Sequence, residues 1–363
     1  MSVAGKKCAP RAAQRLLGHE VAERTFLEAW NAGRLHHAWL LAGPRGIGKA
    51  TLAYRIARFV LAQGVVGGGL FGDATPAADL DISPDHPIAR RVASGGHSDL
   101  LTVERSVNMR TGKLRGEIVV DDVRRLSSFL ALTTGEGQWR AVVVDVADEL
   151  NRSAANALLK GLEEPPPRTL FLLVSHMPGG LLPTIRSRCR KLALAPLPEA
   201  VVTDLLSEMQ PELASDDART LTRLAEGSIG QALVLAESGG LGLYRELVGL
   251  LSGLDRLDVH ALHALGDRVG RIGAEDAFVL LGRLLDDWLS GMIRARARGS
   301  EPREVVPGEG AAARRLFARG SLAKWLEVWE NVSRLFSQAG SANLDRKQVV
   351  VSAFLALEQA VRG

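Results

Sequence analysis

The sequence predicts an α/β domain with a parallel β-sheet, followed by a helical region that continues to residue 363. Up to about residue 196, short apolar runs alternate with helical patterns, which is typical of strands buried on both faces of a parallel sheet. A glycine-rich loop joins the first of these strands to a helix. Beyond residue 196, helical periodicity persists and few runs resemble strands.

The strand–loop–helix unit begins at residues 38–42, an apolar run bounded by glycine and therefore predicted to be a buried strand. A helical pattern follows over residues 50–61. Two more buried strands are predicted at residues 141–145 and 170–174. The helix predicted between them, over residues 153–163, ends at three consecutive prolines because proline cannot continue a helix.

The chain divides into three predicted parts, in keeping with a length of 363 residues. Residues 1–196 form the α/β domain. Within it, residues 62–117 open with a stretch rich in Gly, Ala, Asp and Pro and are expected to form a flexible insertion. A small helical domain is expected over residues 197–239 and a larger one over residues 240–363.

Composition excludes several classes of protein. Apolar residues make up 46% and charged residues 24%, as in soluble globular chains. No apolar run approaches the ~20 residues that span a bilayer, so a membrane segment is not expected. The cytoplasm is the default compartment for a chain without a disulfide framework. Cys8 and Cys189 lie far apart, which excludes a disulfide framework and a four-cysteine zinc site. The net charge of +4 permits contact with nucleic acid without requiring it.

A phosphate-binding loop is predicted at residues 43–49, which fit the Walker A pattern G-x-x-x-x-G-K. Gly43, Gly46 and Gly48 allow backbone N–H groups to curve around phosphate oxygens, and the following helix directs its positive end at them. Lys49 would reach the β- and γ-phosphates. The alternative is a glycine turn that holds no ligand.

Two positions of this nucleotide site depart from an active ATPase. Ser or Thr normally follows the lysine and binds Mg²⁺, but Ala50 has no hydroxyl. Thr51 lies roughly 100° further around the helix and is expected to point elsewhere. Asp145 ends the second predicted strand, where a carboxylate can hold Mg²⁺ through water or bond to its own turn. Val146 follows it and cannot polarise water.

Several motifs resemble segments of the clamp-loader subunits of bacterial DNA polymerase III, which are AAA+ proteins. Residues 156–166 resemble the family's NALLKxLEEPP segment, and Ser187-Arg188-Cys189 resemble its SRC motif. The resemblance implies a RecA-like AAA+ core, a helical lid and a helical collar that holds a five-subunit ring. Three shorter segments also resemble the family: residues 18–20, 33–38 and 343–348.

Within that family, motor subunits keep every ATPase element and delta-prime subunits characteristically lose some. Ala50 replaces the Walker A hydroxyl residue, Val146 the catalytic glutamate and Gly230 the sensor-2 arginine, whereas Ser175 occupies the sensor-1 position. The resemblance therefore implies a subunit that does not hydrolyse ATP and requires no cofactor. Binding of unhydrolysed ATP or ADP stays open, and no zinc is expected.

The resemblance also gives Arg188 a role outside its own subunit. The family places the SRC arginine against the neighbouring subunit's ATP, where an arginine finger can accelerate phosphoryl transfer by ~10³–10⁵-fold. Guanidinium suits this role because it stays charged and presents forked donors. The implied partners are the gamma/tau motor subunits and a delta subunit. The resemblance also implies an indirect connection to the sliding clamp and contact with primer–template DNA by the assembled ring.

Other interpretations of the same residues stay open. Arg188 could pair with a local carboxylate. The chain could be a motor-type ATPase in which Thr51 and Asp148 replace the lost groups, or a stand-alone nucleic-acid-binding module. Cys189 is expected to be packed and unreactive. Arginines within residues 294–298 could contact DNA phosphate, although a solvated helix end is the more ordinary interpretation.

A metal site between residues 62 and 117 is not expected. Many family members carry a four-cysteine zinc module in this region, but these residues contain no cysteine. Four side chains there could serve as ligands, although their spacing matches no known site: Asp85, His86, His97 and Asp99.

Overall fold

The computed structural model describes residues 9–63, 76–132, 135, 139–341 and 344–362. It divides the chain into two compact units. Unit 1 comprises the residues up to 205 together with 226–231, and unit 2 comprises 206–225 and the residues from 232 onwards. The three-part division at residues 196 and 239 stays a prediction.

Unit 1 is built around one five-stranded sheet. Its strands are β1 (Ala38–Ala42), β2 (Leu100–Val103), β3 (Arg140–Val144), β4 (Thr169–Ser175) and β5 (Arg190–Ala193). They pair in the order β2–β3–β4–β1–β5, and every pairing is parallel. β1, β3 and β4 confirm the three predicted strands to within a residue or two.

Among the described residues, six α-helices belong entirely to unit 1. They are α1 (Glu20–Asn31), α2 (Lys49–Gln63), α3 (Pro87–Ser94), α4 (Val120–Ala131), α5 (Arg152–Glu163) and α6 (Pro183–Ser187). Alternate residues of β1 face opposite sides of the sheet: Trp39 and Leu41 pack in the core beneath α1 and α2, and Leu40 packs beneath α4 and α5. Both faces are therefore covered, which explains the uninterrupted apolar strands.

The expectation of one flexible insertion over residues 62–117 is wrong for its later part. α3 lies there, with His86 as its N-cap and Pro87 in its first turn. β2 also lies there and pairs with β3, so this part of the range completes the sheet. The earlier glycine-rich stretch, residues 64–75, lies outside the described residues.

Unit 2 is helical. Two further helices, Glu199–Met209 and Ile229–Glu237, contain residues of both units. The helices from residue 199 onwards are α7 (Glu199–Met209), α8 (Ser215–Leu224), α9 (Ile229–Glu237), α10 (Gly240–Ser252), α11 (Val259–Gly270), α12 (Glu275–Arg298), α13 (Glu309–Phe317), α14 (Leu322–Ser341) and α15 (Arg346–Arg362). Trp288 and Trp325 are buried in unit 2, as the helical patterns indicate. Among the described residues, no helix is both long and apolar enough to cross a membrane. The predicted fold class, a parallel RecA-like α/β core followed by helices, is confirmed.

Candidate nucleotide site and SRC arginine

The glycine-rich loop lies where the sequence predicts it, between the end of β1 and the start of α2 at Lys49. Gly46 and Gly48 have φ values of 76° and 105°, a region that favours glycine. Gly46 needs glycine for a second reason, because a Cβ there would lie 2.3 Å from Ser228 Oγ. The backbone thus has the form of a phosphate loop at a helix N-terminus.

Lys49 folds back onto its own loop. Its side chain is buried, and Nζ donates hydrogen bonds to the carbonyl oxygens of Gly43, at 2.7 Å, and Pro44. Burial lowers the pKa of Lys49 to about 8, although the nearby carboxylates of Asp148 and Asp145 act in the opposite direction. The ammonium that would bind phosphate is therefore held by loop carbonyls.

The segment 226–231 packs directly on the phosphate loop. The Gly230 N–H donates to the Gly46 carbonyl at 2.9 Å, and a Cβ at residue 230 would lie 3.0 Å from the Gly46 Cα. Residue 230 is the position that the family resemblance assigns to the sensor-2 arginine. Because the two backbones touch here, a side chain at residue 230 requires the backbone at Gly46 to give way by a few tenths of an ångström.

Asp145 lies at the end of β3, close enough to Lys49 for their charges to interact. Burial, followed by the charges of Glu104 and Glu149, raises the pKa of Asp145 to about 6, while Lys49 acts against that increase. Thr51 is half-buried, and within the part of the chain that the structure describes its hydroxyl makes no hydrogen bond to Asp145. The structure thus brings Asp145, but not the Thr51 hydroxyl, into this cluster.

Asp148 is held at the end of β4. Its carboxylate accepts hydrogen bonds from Ser175 Oγ at 2.7 Å, from the Met177 N–H at 3.3 Å and from the His176 N–H. Three donors therefore fix this side chain, so it is poorly placed to replace a catalytic glutamate. Ser175, which the family resemblance assigns to the sensor-1 position, takes part in the same internal contact.

Two histidines near the loop were missed by the sequence reasoning. His19 is buried and its Nε2 lies 2.6 Å from the Ile47 carbonyl oxygen. Burial, together with the charge of Lys49, lowers the pKa of His176 to about 4, so its ring is neutral at physiological pH. The sequence signal for His176 was its place two residues after a predicted strand.

Arg188 lies just after α6 and is only partly exposed, with 34% of its side chain accessible. One terminal nitrogen donates to the Thr184 carbonyl at 2.9 Å, and the other pairs with Glu163 Oε1 at 2.7 Å. The local ion pair left open by the sequence is therefore present. Ser187 Oγ donates to the same Thr184 carbonyl at 3.1 Å, so its hydroxyl supports the turn that carries Arg188.

The remaining candidate side chains form no reactive or metal-binding cluster in the described part of the chain. Cys189 is a free thiol whose pKa burial raises to about 12, which leaves it protonated and unreactive. Asp85 pairs with Arg90 at 2.7 Å, and His86 caps α3. Asp99 is buried and accepts a backbone hydrogen bond. Cys8 lies outside the described residues.

Residues 18–198, about half of the chain, match the protein family described as "DNA polymerase III, delta subunit". The chain is 35% identical over 221 residues to DNA polymerase III subunit delta' of Pseudomonas aeruginosa, a match that covers 61% of each protein. It is 25% identical over 335 residues to DNA polymerase III subunit tau of Escherichia coli, covering 91% of this chain and 45% of that protein.

A solved structure is similar over most of the chain. It is a DNA polymerase III gamma subunit-related protein from Thermotoga maritima, with 18% identity, a TM-score of 0.39, and coverage of 93% of this chain and 100% of that one. The chain spans less than two thirds of the length of the curated relatives it matches, 61% of the delta' protein and 45% of tau.

Proposed function

Because the chain belongs to the clamp-loader subunit family of bacterial DNA polymerase III, an AAA+ P-loop family, we propose that it is a delta-prime subunit. In this proposal it acts in the cytoplasm as an accessory subunit that helps to load the sliding clamp onto primed DNA. It assembles with gamma/tau motor subunits and a delta subunit in a five-subunit ring. The clamp is engaged indirectly, and primer–template DNA is contacted by the ring.

The proposal includes a silent ATP site in this subunit. Support comes from one observation at the position that the family resemblance gives to the sensor-2 arginine: residue 230 is glycine, and its backbone packs against Gly46. The absence of a hydroxyl at Ala50 and of a carboxylate at Val146 removes further groups that hydrolysis needs. ATP or ADP would bind only if Lys49 left its carbonyls. The proposed function requires neither nucleotide nor zinc.

The proposal assigns catalysis to Arg188 in trans. A guanidinium has five N–H donors, and the bonds to Thr184 and Glu163 use two of them. An ion pair as exposed as the one with Glu163 stabilises by only about 0–1 kcal/mol, so its rearrangement costs little. Arg188 can therefore offer its remaining donors to a neighbour's γ-phosphate without disrupting its own subunit.

The test is ATP hydrolysis by a reconstituted loader that carries Arg188→Ala. We expect the burst amplitude of DNA- and clamp-stimulated hydrolysis to fall by one ATP per complex, because one site is no longer active. Size-exclusion chromatography should show that the ring still assembles. Arg186→Ala removes an equal charge two residues away and is the matched control. An Arg188→Ala complex with an unchanged burst and steady-state rate would exclude the trans role.

A motor-type ATPase is the second candidate, favoured by the match to tau over 91% of this chain. Steady-state hydrolysis by the isolated protein separates the two candidates. The delta-prime proposal expects no turnover above a Lys49→Ala control, whereas turnover that Lys49→Ala abolishes would establish the motor.

A further inference from the structure

One segment of unit 2 has a net charge equal to that of the whole chain. Residues 294–319 contain seven arginines and three glutamates, which gives 7 − 3 = +4. The whole chain, with 45 Lys and Arg against 41 Asp and Glu, also has a net charge of +4. The net charge of all other residues together is therefore zero. Every cation of the segment is arginine, whose planar fork matches a carboxylate or a phosphate.

The arginines of this segment differ in their contacts with carboxylates. Arg315 and Arg319 share Asp255, at 4.0 and 3.1 Å, which offsets one of their two charges. Arg296 and Arg298, at the end of α12, are exposed and contact no carboxylate in the part of the chain that the structure describes. The C-terminal end of α12 therefore carries two positive charges that no carboxylate in the described residues offsets.

A cavity of about 250 Å³ opens beside these arginines, between the end of α12, the following loop and α13. Arg296 and Arg314 line it from exposed positions, and Arg314 is held by Glu301 at 2.5 Å. The volume suits one or two amino-acid side chains, because sites for drug-sized molecules are typically ~300–1,000 Å³. Part of the lining is apolar and buried: Met292, Ala313 and Phe317.

The apolar wall of the cavity is fixed in place. Phe317 stacks on Trp325, with ring centroids 4.3 Å apart and planes inclined by 21°, and its ring lies 6.4 Å from that of Trp288. All three rings are buried. A wall held by such packing is preorganised, which reduces the entropy that a ligand must overcome on binding.

We propose that this cavity is a docking site for an acidic peptide segment that carries one bulky apolar side chain. The apolar side chain packs against Met292 and Phe317, and the carboxylates contact Arg296 and its neighbours. Burial of one such side chain and bidentate arginine–carboxylate pairs would act together. This proposal does not depend on the role of Arg188.

The lining favours a peptide over a nucleic acid. None of the lining residues is an exposed aromatic on which a base could stack. Single-stranded nucleic acid typically requires such stacking platforms together with its basic groove. Arginine alone would serve either partner, so the apolar cavity decides between them.

Three probes test the proposal on the full chain by fluorescence anisotropy. The first is a labelled peptide of six Asp and Glu residues with one central Phe, the second has Ser in place of that Phe, and the third is a 15-nucleotide oligo-dT. We expect saturable binding of the Phe peptide, at least tenfold tighter than the Ser peptide, and no displacement by the oligonucleotide. The absence of saturable binding would overturn the proposal, as would equal binding of the two peptides or displacement of the Phe peptide by oligo-dT.

Two variants connect binding to the cavity. Ala318→Trp fills the cavity from an exposed position and should weaken binding of the Phe peptide at least tenfold, while Arg296→Gln should weaken it severalfold. Arg283→Gln removes the same charge from α12 outside the cavity lining and should leave binding unchanged. Circular dichroism verifies that each variant is folded. Equal losses in Arg296→Gln and Arg283→Gln, or full binding by Ala318→Trp, would contradict docking in this cavity.

Discussion

Replacing Lys49 with methionine should change how the stability of unit 1 depends on pH. In the folded chain, burial lowers the pKa of Lys49 from 10.5 to about 8. A cation with a lowered pKa in the folded state contributes stability that is fully present above the unfolded pKa and is lost as pH falls through the folded one. At neutral pH, protonation of Lys49 therefore favours the unfolded chain, and Lys49→Met removes that dependence.

The magnitude follows from the two pKa values. One pKa unit corresponds to about 1.4 kcal/mol, so the full effect approaches about 3 kcal/mol. Between pH 7 and pH 9, where only part of the titration occurs, the wild type should gain about 1 kcal/mol relative to Lys49→Met. The direction is fixed: wild-type stability rises relative to the variant as pH rises.

Urea unfolding is followed by far-UV circular dichroism at pH 7, 8 and 9. It measures the free energy of unfolding of the wild type minus that of Lys49→Met, for the transition whose midpoint the substitution shifts. Lys160→Met is the matched control because it removes the same type of side chain from an exposed position on α5. A wild-type minus Lys49→Met difference that stays constant from pH 7 to pH 9 would refute a desolvated ammonium. A fall with rising pH would refute it equally.

Three other substitutions test the neighbouring contacts. Asp148→Asn weakens the charge-assisted bonds from Ser175 and two backbone N–H groups, and should lower stability by about 1–3 kcal/mol in urea unfolding; an unchanged midpoint would contradict those bonds. Gly230→Arg should lower the melting temperature and restore no ATP hydrolysis, because its Cβ meets Gly46; hydrolysis above the Lys49→Ala background would oppose this account. Glu163→Gln should lower the free energy of unfolding by less than about 1 kcal/mol. It should also speed the modification of Arg188 by phenylglyoxal, measured by peptide mass spectrometry, and an unchanged rate would mean that the ion pair does not protect the arginine.

The central strands were predictable and the edge strands were not, for a physical reason. β1, β3 and β4 are buried on both faces, so each is an uninterrupted apolar run. β5 lies at one edge, and only its Leu192 is buried. Arg190 and Lys191 make this segment look like a charged loop. Its parallel pairing with β1 makes it a strand, and that pairing depends on residues about 150 positions earlier in the sequence.

The candidate site also has a part that the sequence predicts and a part that it does not. The phosphate loop was predictable because its glycines, its lysine and its flanking elements are adjacent in sequence. The closure of that loop by Gly230 was not, because it joins backbones 184 residues apart. The bond between Asp148 and Ser175 was also missed, although both residues were singled out separately. It arises because β3 and β4 are neighbouring parallel strands, whose carboxyl ends meet at one edge of the sheet.

Lys49, residue 230 and Arg188 differ in what a change of partner requires. Binding of phosphate by Lys49 exchanges two hydrogen bonds to loop carbonyls, and a side chain at residue 230 requires the backbone at Gly46 to give way by a few tenths of an ångström. A single substitution that restored a hydroxyl at Ala50 would leave both obstacles in place. Arg188 has two contacts, a partly exposed ion pair with Glu163 and a bond to the Thr184 carbonyl, and three of its donors stay uncommitted. The changes needed at the chain's own phosphate loop are therefore spread over several contacts, whereas Arg188 can be offered to a neighbour through its uncommitted donors or by rearranging one weak ion pair. That difference is the physical basis for expecting chemistry at the neighbouring subunit.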